Sequence, residues 1–174
     1  MNIKNVVVGN LETNCYILEK DGEVLIIDPG DDANKIIENV NGNVVGIIVT
    51  HHHFDHVGAL ESVKTYYNTK VYDYSNLNKI NNVGVFAFEV IPTPGHTDDS
   101  ISVYFKEDNI MFVGDFVFFG SIGRTDLGGN NLDMKKSIET ILLYNDSIKL
   151  YPGHGKYTFI GDERDNLILF SKML

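Results

Sequence analysis

The sequence predicts an α+β domain in which two β-sheets pack together and helices cover the outside. Three observations point to it. Short apolar, β-branched runs recur between turn signals. Stretches with helical spacing of apolar residues separate them. Their order is strands, helix, strand, helix, strands, helix, strand, helix, with no internal repeat, low-complexity segment or linker. Such an alternation has to bury strand faces against one another and under helices. A chain of 174 residues is long enough for one domain, 1–174, with a substantial core.

In chain order, Ile3 to Val8, Asn14 to Leu18 and Val24 to Ile27 read as strands, punctuated by Gly9-Asn10 and Asp21-Gly22. Asp28-Pro29-Gly30 stops the third. A short helix capped by Asp31 or Asp32 then carries Ile36, Ile37 and Val40, and Gly42-Asn43 ends it. Val44 to Val49 is apolar throughout, as expected of a strand covered on both faces. Val57, Leu60, Val63 and Tyr67 mark a helix. Strands follow at Val71-Tyr72, Val85 to Ile91, Ile101 to Phe105 and Ile110 to Val113. FGSIGRTDLGGNN reads as a long loop. Met134, Ile138, Ile141 and Leu142 mark a helix with Asp133 as its cap, Lys149 to Tyr151 a short strand, and GDERDNLILFSKML a closing helix.

Hydrophobic residues are 43% of the chain and charged residues 22%, the balance of a globular protein. A net charge of −10 argues against a nucleic-acid partner, because phosphate binding needs clustered Lys and Arg. MNIKNVVVGNLE has no apolar core with a cleavage site, and no apolar run is long enough to span a bilayer. With no such run, no membrane partner is expected; a lone cysteine, Cys15, excludes an intrachain disulfide and points to a cytoplasmic location. Within TNCYIL, Cys15 reads as a small buried residue rather than a reactive thiol.

Histidine is scarce, six in all, yet four lie in THHHFDH directly after the Val44–Val49 strand. In an extended segment residues two apart share a side, so His51 and His53 can aim at one point while His52 faces away. Asp55 and His56, where the chain turns into a helix, can reach a second point a few ångströms on. His96 in IPTPGHT and His154 in LYPGHGK each follow a strand and a Pro-Gly bend, and Asp115 ends a strand behind Gly114. Imidazoles and carboxylates held at rigid strand ends are what Zn²⁺ and Fe²⁺ sites use.

THHHFDH, Pro94-Gly95-His96-Thr97, Gly114-Asp115 and Gly153-His154-Gly155 resemble, in order, the motifs of the metallo-β-lactamase fold superfamily. Asp28-Pro29-Gly30 and TNCYIL are similar to its early segments, so the resemblance runs over nearly the whole chain. It implies the αββα sandwich of two mixed β-sheets flanked by helices. GSIGRTDL and GHGKYTFIGDER resemble the small members of the glyoxalase II group, hydroxyacylglutathione hydrolases without the extra C-terminal helical domain. By that resemblance His51, His53 and His96 hold one divalent metal ion, Asp55, His56 and His154 a second, and Asp115 bridges the two. Zinc is the expected metal, with iron or manganese as alternatives. Asp55 and Asp115 are the expected catalytic residues. The implied reaction is hydrolysis of a small thioester by hydroxide that two cations make available near neutral pH. Asp28, Thr50 and Thr97 are candidates for orienting the ligands.

Two departures stand out. PGHTDDS places Asp99 where the family often has glycine. Glutathione contacts made by the extra domain of glyoxalase II have no counterpart in this sequence. Arg124 is expected to brace its glycine-rich loop rather than meet a substrate carboxylate, and Tyr157 has no assigned role. Val117 to Phe119 with Ile122 either line an apolar pocket or pack in the core. Alternatives are a persulfide dioxygenase with one Fe²⁺ on His51, His96 and Asp115, a lactonase-like hydrolase of the same fold, and a non-catalytic metal binder. A zinc β-lactamase is disfavoured because it typically has cysteine where Asp115 sits.

Overall fold

The computed structural model describes residues 1–174. Strands β1 (Asn2–Val8), β2 (Thr13–Lys20) and β3 (Glu23–Ile27) lead into helix α1 (Ala33–Asn39) and strand β4 (Asn43–Ile48). Helices α2 (Phe54–Val57) and α3 (Leu60–Tyr67) follow, then β5 (Val71–Tyr72), β6 (Ile80–Val83), β7 (Phe86–Pro92), β8 (Ile101–Phe105) and β9 (Ile110–Gly114). A small hairpin, β10 (Val117–Phe118) and β11 (Ser121–Ile122), precedes α4 (Asn131–Ile141). β12 (Lys149–Pro152), β13 (Thr158–Phe159) and α5 (Ile160–Met173) complete the chain.

The strands form two sheets, β1-β2-β3-β4-β5 and β13-β12-β9-β8-β7-β6. Both are mixed. In the first, β1 to β3 are antiparallel and β3 to β5 parallel; in the second, β12 pairs with β9 in parallel and the other pairs are antiparallel.

The layering follows from strands whose central positions are apolar throughout. Side chains alternate between faces, so such a strand must be covered on both. In β2, Tyr16 and Leu18 face the second sheet while Cys15 and Ile17 pack under α1 and α3. In β9, Ile110 and Phe112 face the first sheet while Met111 and Val113 pack under α4 and α5. One core therefore lies between the sheets and one beneath each helical layer. Cys15 is fully buried, and that burial pushes its thiol well up from the usual range, so it is an inert packing residue. No helix is long and apolar enough to cross a membrane.

Several local expectations change. Asp32 precedes α1 but does not cap it with its side chain; its carboxylate instead accepts from Gly9 N at 3.0 Å, tying the β1 turn to the helix start. The cap of α4 is Asn130, whose Oδ1 accepts from Asp133 N at 2.8 Å. Asp133 sits one turn in and accepts from Asn130 Nδ2, a reciprocal arrangement like a capping box. The helix expected from Val57 to Tyr67 is broken into α2 and α3 at Gly58-Ala59. β6 and β13 were not expected: INNV is half polar because it lies at a sheet edge, and Thr158-Phe159 is only two residues long. The long loop after β9 contains the β10-β11 hairpin.

Phe112 lies between the sheets, with its ring centroid 5.0 Å from those of both Tyr16 and Tyr151. Phe112→Ala is expected to cost about 3–5 kcal/mol, read as a lowered urea midpoint. Leu143→Ala, at an exposed position, is expected to stay within about 0.5 kcal/mol of the parent. Equal midpoints for the two variants would contradict this placement of the core.

Candidate metal centre

Five strands deliver the site. β3, β4, β7, β9 and β12 each end at the same rim of the sandwich, and just beyond them come Asp28, His51, His96, Asp115 and His154. The two sheets are laced together there. Asn14 N donates to Gly153 O at 2.7 Å, Tyr16 Oη to Pro152 O at 2.6 Å, and Ile101 N to Thr50 O at 3.0 Å. This is the local work of the TNCYIL segment: it stitches the first sheet to the turn that carries His154.

The seven expected residues converge. The inward nitrogens of His51, His53 and His96 form one group whose atoms lie within 4.8 Å of one another; Asp55, His56 and His154 form a second. Asp115 lies between them. Its Oδ2 is 3.5 Å from His96 Nε2 and 3.4 Å from His154 Nε2, and its Oδ1 is 3.3 Å from His56 Nε2. Asp55 Oδ2 is 3.2 Å from His154 Nε2 and 3.7 Å from His56 Nε2. His52 turns away, toward Asp99 at 2.5 Å and Asp73 at 3.5 Å, as the alternation of side chains requires.

Each converging histidine has its other ring nitrogen engaged. His53 Nε2 meets Leu127 O at 2.9 Å, His96 Nδ1 meets Arg124 O at 2.7 Å and His154 Nδ1 meets Leu11 O at 3.0 Å. A carbonyl only accepts, so these contacts place a proton on each outer nitrogen, and the inner His96 Nε2 and His53 Nδ1 then face each other at 2.8 Å, a spacing that needs a proton or a cation between them. Asp28 serves the remaining two. Its carboxylate accepts from Thr50 N at 2.7 Å, Thr50 Oγ1 at 2.6 Å and His56 Nδ1 at 2.9 Å. Thr50 Oγ1 in turn is 3.2 Å from His51 Nδ1. One carboxylate thus orients a histidine of each group.

The remaining inward atoms fit a cation. His51 Nε2, His56 Nε2 and Asp115 Oδ1 are buried without a hydrogen-bond partner. Buried polar atoms that face one another unpaired are costly unless something positive, a proton or a metal ion, lies between them. The space is also guarded by backbone: a Cβ at Gly153 would fall on the Asp115 carboxylate and the His56 ring.

Electrostatics agree. Burial pulls His51 and His96 below the usual histidine range. Burial would also lower His56, but Asp28 and Asp115 outweigh it and push it up to about 10. The Asp115 hydrogen bond raises His154. For Asp115, burial would raise the carboxyl, and the neighbouring His154 and His56 more than reverse it.

Other expectations divide. Asp28 and Thr50 hold His56 and His51, whereas Thr97 bonds Asp99 and Ser100 and braces the loop behind His96. Asp99 therefore ties that loop to His52. Arg124 braces, with its guanidinium clamped on Asp126 by two bonds of 2.6 Å. Tyr157 packs over Lys149, away from the histidines. Val117 is buried in the core, while Phe118 lines the cavity over the site.

Sequence reading missed Thr13, whose hydroxyl donates to Asp55 Oδ2 at 2.9 Å. It also missed Glu163, a buried carboxylate that accepts from Thr158 Oγ1 at 2.7 Å and Gly120 N at 2.9 Å and so anchors the hairpin beside the site. A strand-edge threonine and a helix glutamate carry no sequence signal of such roles. The carbonyls of Leu11, Arg124 and Leu127 could not be found, because any residue supplies one.

The family model of the metallo-beta-lactamase superfamily matches residues 8–77 and 75–154. Hydroxyacylglutathione hydrolase GloC of Haemophilus influenzae is 32% identical over 99% of this chain and 100% of its own. Among solved structures, BLEG-1 B3 metallo-beta-lactamase superposes with a TM-score of 0.89 at 32% identity, covering 97% of this chain and 99% of that one. TTHA1623 in a di-iron-bound form superposes at 0.84 with 28% identity, covering 92% and 96%.

Asp28→Asn removes the charge and one acceptor from the unit that holds His51 and His56. It is expected to weaken metal binding about 10- to 100-fold, measured by competition with a chromophoric chelator. Metal uptake by the parent is expected to release protons near pH 7, because His56 stays protonated up to about 10 and must lose that proton to become a ligand. Affinity should therefore rise with pH. Calorimetry in buffers of different ionisation enthalpy checks this, and an absence of proton release would contradict the arrangement.

Proposed function

The chain belongs to the metallo-beta-lactamase superfamily, and we propose that it is a metal-dependent hydrolase of a small thioester such as a hydroxyacylglutathione. The observation that carries this reading is the presence of both convergent groups at once, with Asp115 between them. His51, His53 and His96 would hold one divalent cation and Asp55, His56 and His154 the other. The donor set of imidazoles and carboxylates suits Zn²⁺ and also Fe or Mn. The likeness to a di-iron protein makes iron the first alternative. The acting unit is the domain 1–174, placed in the cytoplasm.

When bound, two such cations supply hydroxide from water near neutral pH and stabilise the oxygen of the attacked carbonyl. The chain does the rest by positioning. Asp28 and Thr50 keep the outer protons of His56 and His51 in place, so that their Nε2 lone pairs stay turned inward. Thr13 holds one oxygen of Asp55 and fixes the plane of a carboxylate that can orient the nucleophile. Asp115 holds the two groups at a set spacing. A thiol has an ordinary pKa of about 8.5, so it leaves as thiolate without a strong acid beside it.

Likeness to BLEG-1 favours one second reading, β-lactam hydrolysis, on the same groups. Turnover separates the two. Metal-loaded protein is expected to hydrolyse S-lactoylglutathione and to leave a cephalosporin essentially untouched, with two metal ions per chain. Asp115→Ala is expected to lose at least about 100-fold in kcat together with bound metal. Full metal content and rate in that variant would overturn the proposal. Cephalosporin turnover in place of thioester turnover would establish the second reading. One iron per chain with oxygen uptake on a persulfide would replace both with the dioxygenase.

A further inference from the structure

Above the candidate centre lies a cavity of about 440 Å³, with His96, Asp115 and His154 on its floor and Phe118, Phe119 and Lys156 on its wall. Arg124 also reaches this cavity, but the Nε and Nη2 edge of its guanidinium already bonds Asp126, which balances its charge. Lys156 differs. No carboxylate lies within 4.0 Å of its ammonium, which rests 3.4 Å from the centre of the Phe119 ring. In a chain with a net charge of −10, it is the cation at this mouth that is free to meet a ligand.

A second hollow opens on the other side of the same floor, past His53 and Asp55, and its apolar walls are Leu11, Phe54 and Leu127. Its one cation is the same Arg124, tied to Asp126. A substrate stretched over the floor therefore meets an apolar side and a side carrying a lysine on an aromatic platform. A charged half is better placed on the lysine side, where an anion meets an exposed ammonium held over the Phe119 ring.

We propose that Lys156 is the specificity residue of this site, selecting thioesters whose thiol half carries a carboxylate while the acyl half lies toward Leu11, Phe54 and Leu127. The proposal rests on the thioester reading above for the assignment of halves. It does not require Lys156 to take part in bond cleavage: Lys156 touches the substrate's charge.

Two probes that differ at their carboxyl groups test it, S-lactoylglutathione and its carboxyl diethyl ester, and the variants separate the charge from the added ethyl groups. The parent is expected to favour the free acid at least about tenfold in kcat/KM, with the difference carried by KM. Lys156→Met keeps the stem over Phe119 and removes the charge, and it should bring the two probes to within about twofold. Lys156→Arg should restore most of the preference, which loss of packing alone would not allow. A preference undiminished in Lys156→Met, or absent in the parent, would overturn the proposal. If the parent hydrolyses neither probe, the thioester reading fails by itself, and binding decides the role of Lys156. Calorimetry would then compare S-methylglutathione with its diethyl ester. Tighter binding of the free acid, lost in Lys156→Met, supports it; equal or undetectable binding of the two refutes it.

Discussion

Asp28 is the constraint on which the rest of the site depends. It ends β3 with φ of 52°, a left-handed conformation that few residues other than glycine adopt. Three hydrogen bonds hold it there, two from Thr50 at the end of the neighbouring parallel strand and one from His56 on α2. The same bonds set the direction of His56 and, through the Thr50 hydroxyl, of His51. Backbone strain, strand pairing and ligand orientation are thus one coupled arrangement rather than three. Asp28 is buried, so its charge acts at close range with little solvent screening.

Around that unit the protein uses its two sheets as two jaws. The first supplies Asp28, His51, His53, Asp55 and His56 from β3, β4 and the chain leaving them. The second supplies His96, Asp115 and His154 from β7, β9 and β12. Their relative position is set by the core between the sheets, by the bonds from Asn14 and Tyr16 to Pro152 and Gly153, and by the Ile101–Thr50 bond. Loops complete the shell with carbonyls rather than side chains. The loop after β11 provides two of them, from Arg124 and Leu127, so the glycine-rich stretch bears on His96 and His53 at once.

The way the chain is written explains how much of this could be read from it. Strands buried on both faces announce themselves as unbroken apolar runs, and the helices by their spacing; hence the order of layers was legible, while edge strands β6 and β13, polar or very short, were not. Asp133 is the expected cap of α4 because it precedes Met134, but the helix begins three residues earlier, at Asn131, and Asn130 takes that place. His52 could be separated from His51 and His53 by parity alone, and the structure turns it toward Asp99 and Asp73.

The sequence by itself determined the chemistry-bearing residues and the kind of scaffold. Histidines and aspartates at strand ends, behind Pro-Gly and Gly turns, are local patterns, and local patterns survive in a one-dimensional reading. Tertiary structure alone decided who supports whom. The convergence of two groups on Asp115, the service of both by Asp28, the clamp of Glu163 on Gly120 and the freedom of Lys156 beside an occupied Arg124 all join residues far apart in the chain. The physical reason is that a hydrogen bond or an unpaired charge is a property of a place in space. The same lysine or glutamate reads identically in sequence whether it faces solvent, a carboxylate or an open cavity.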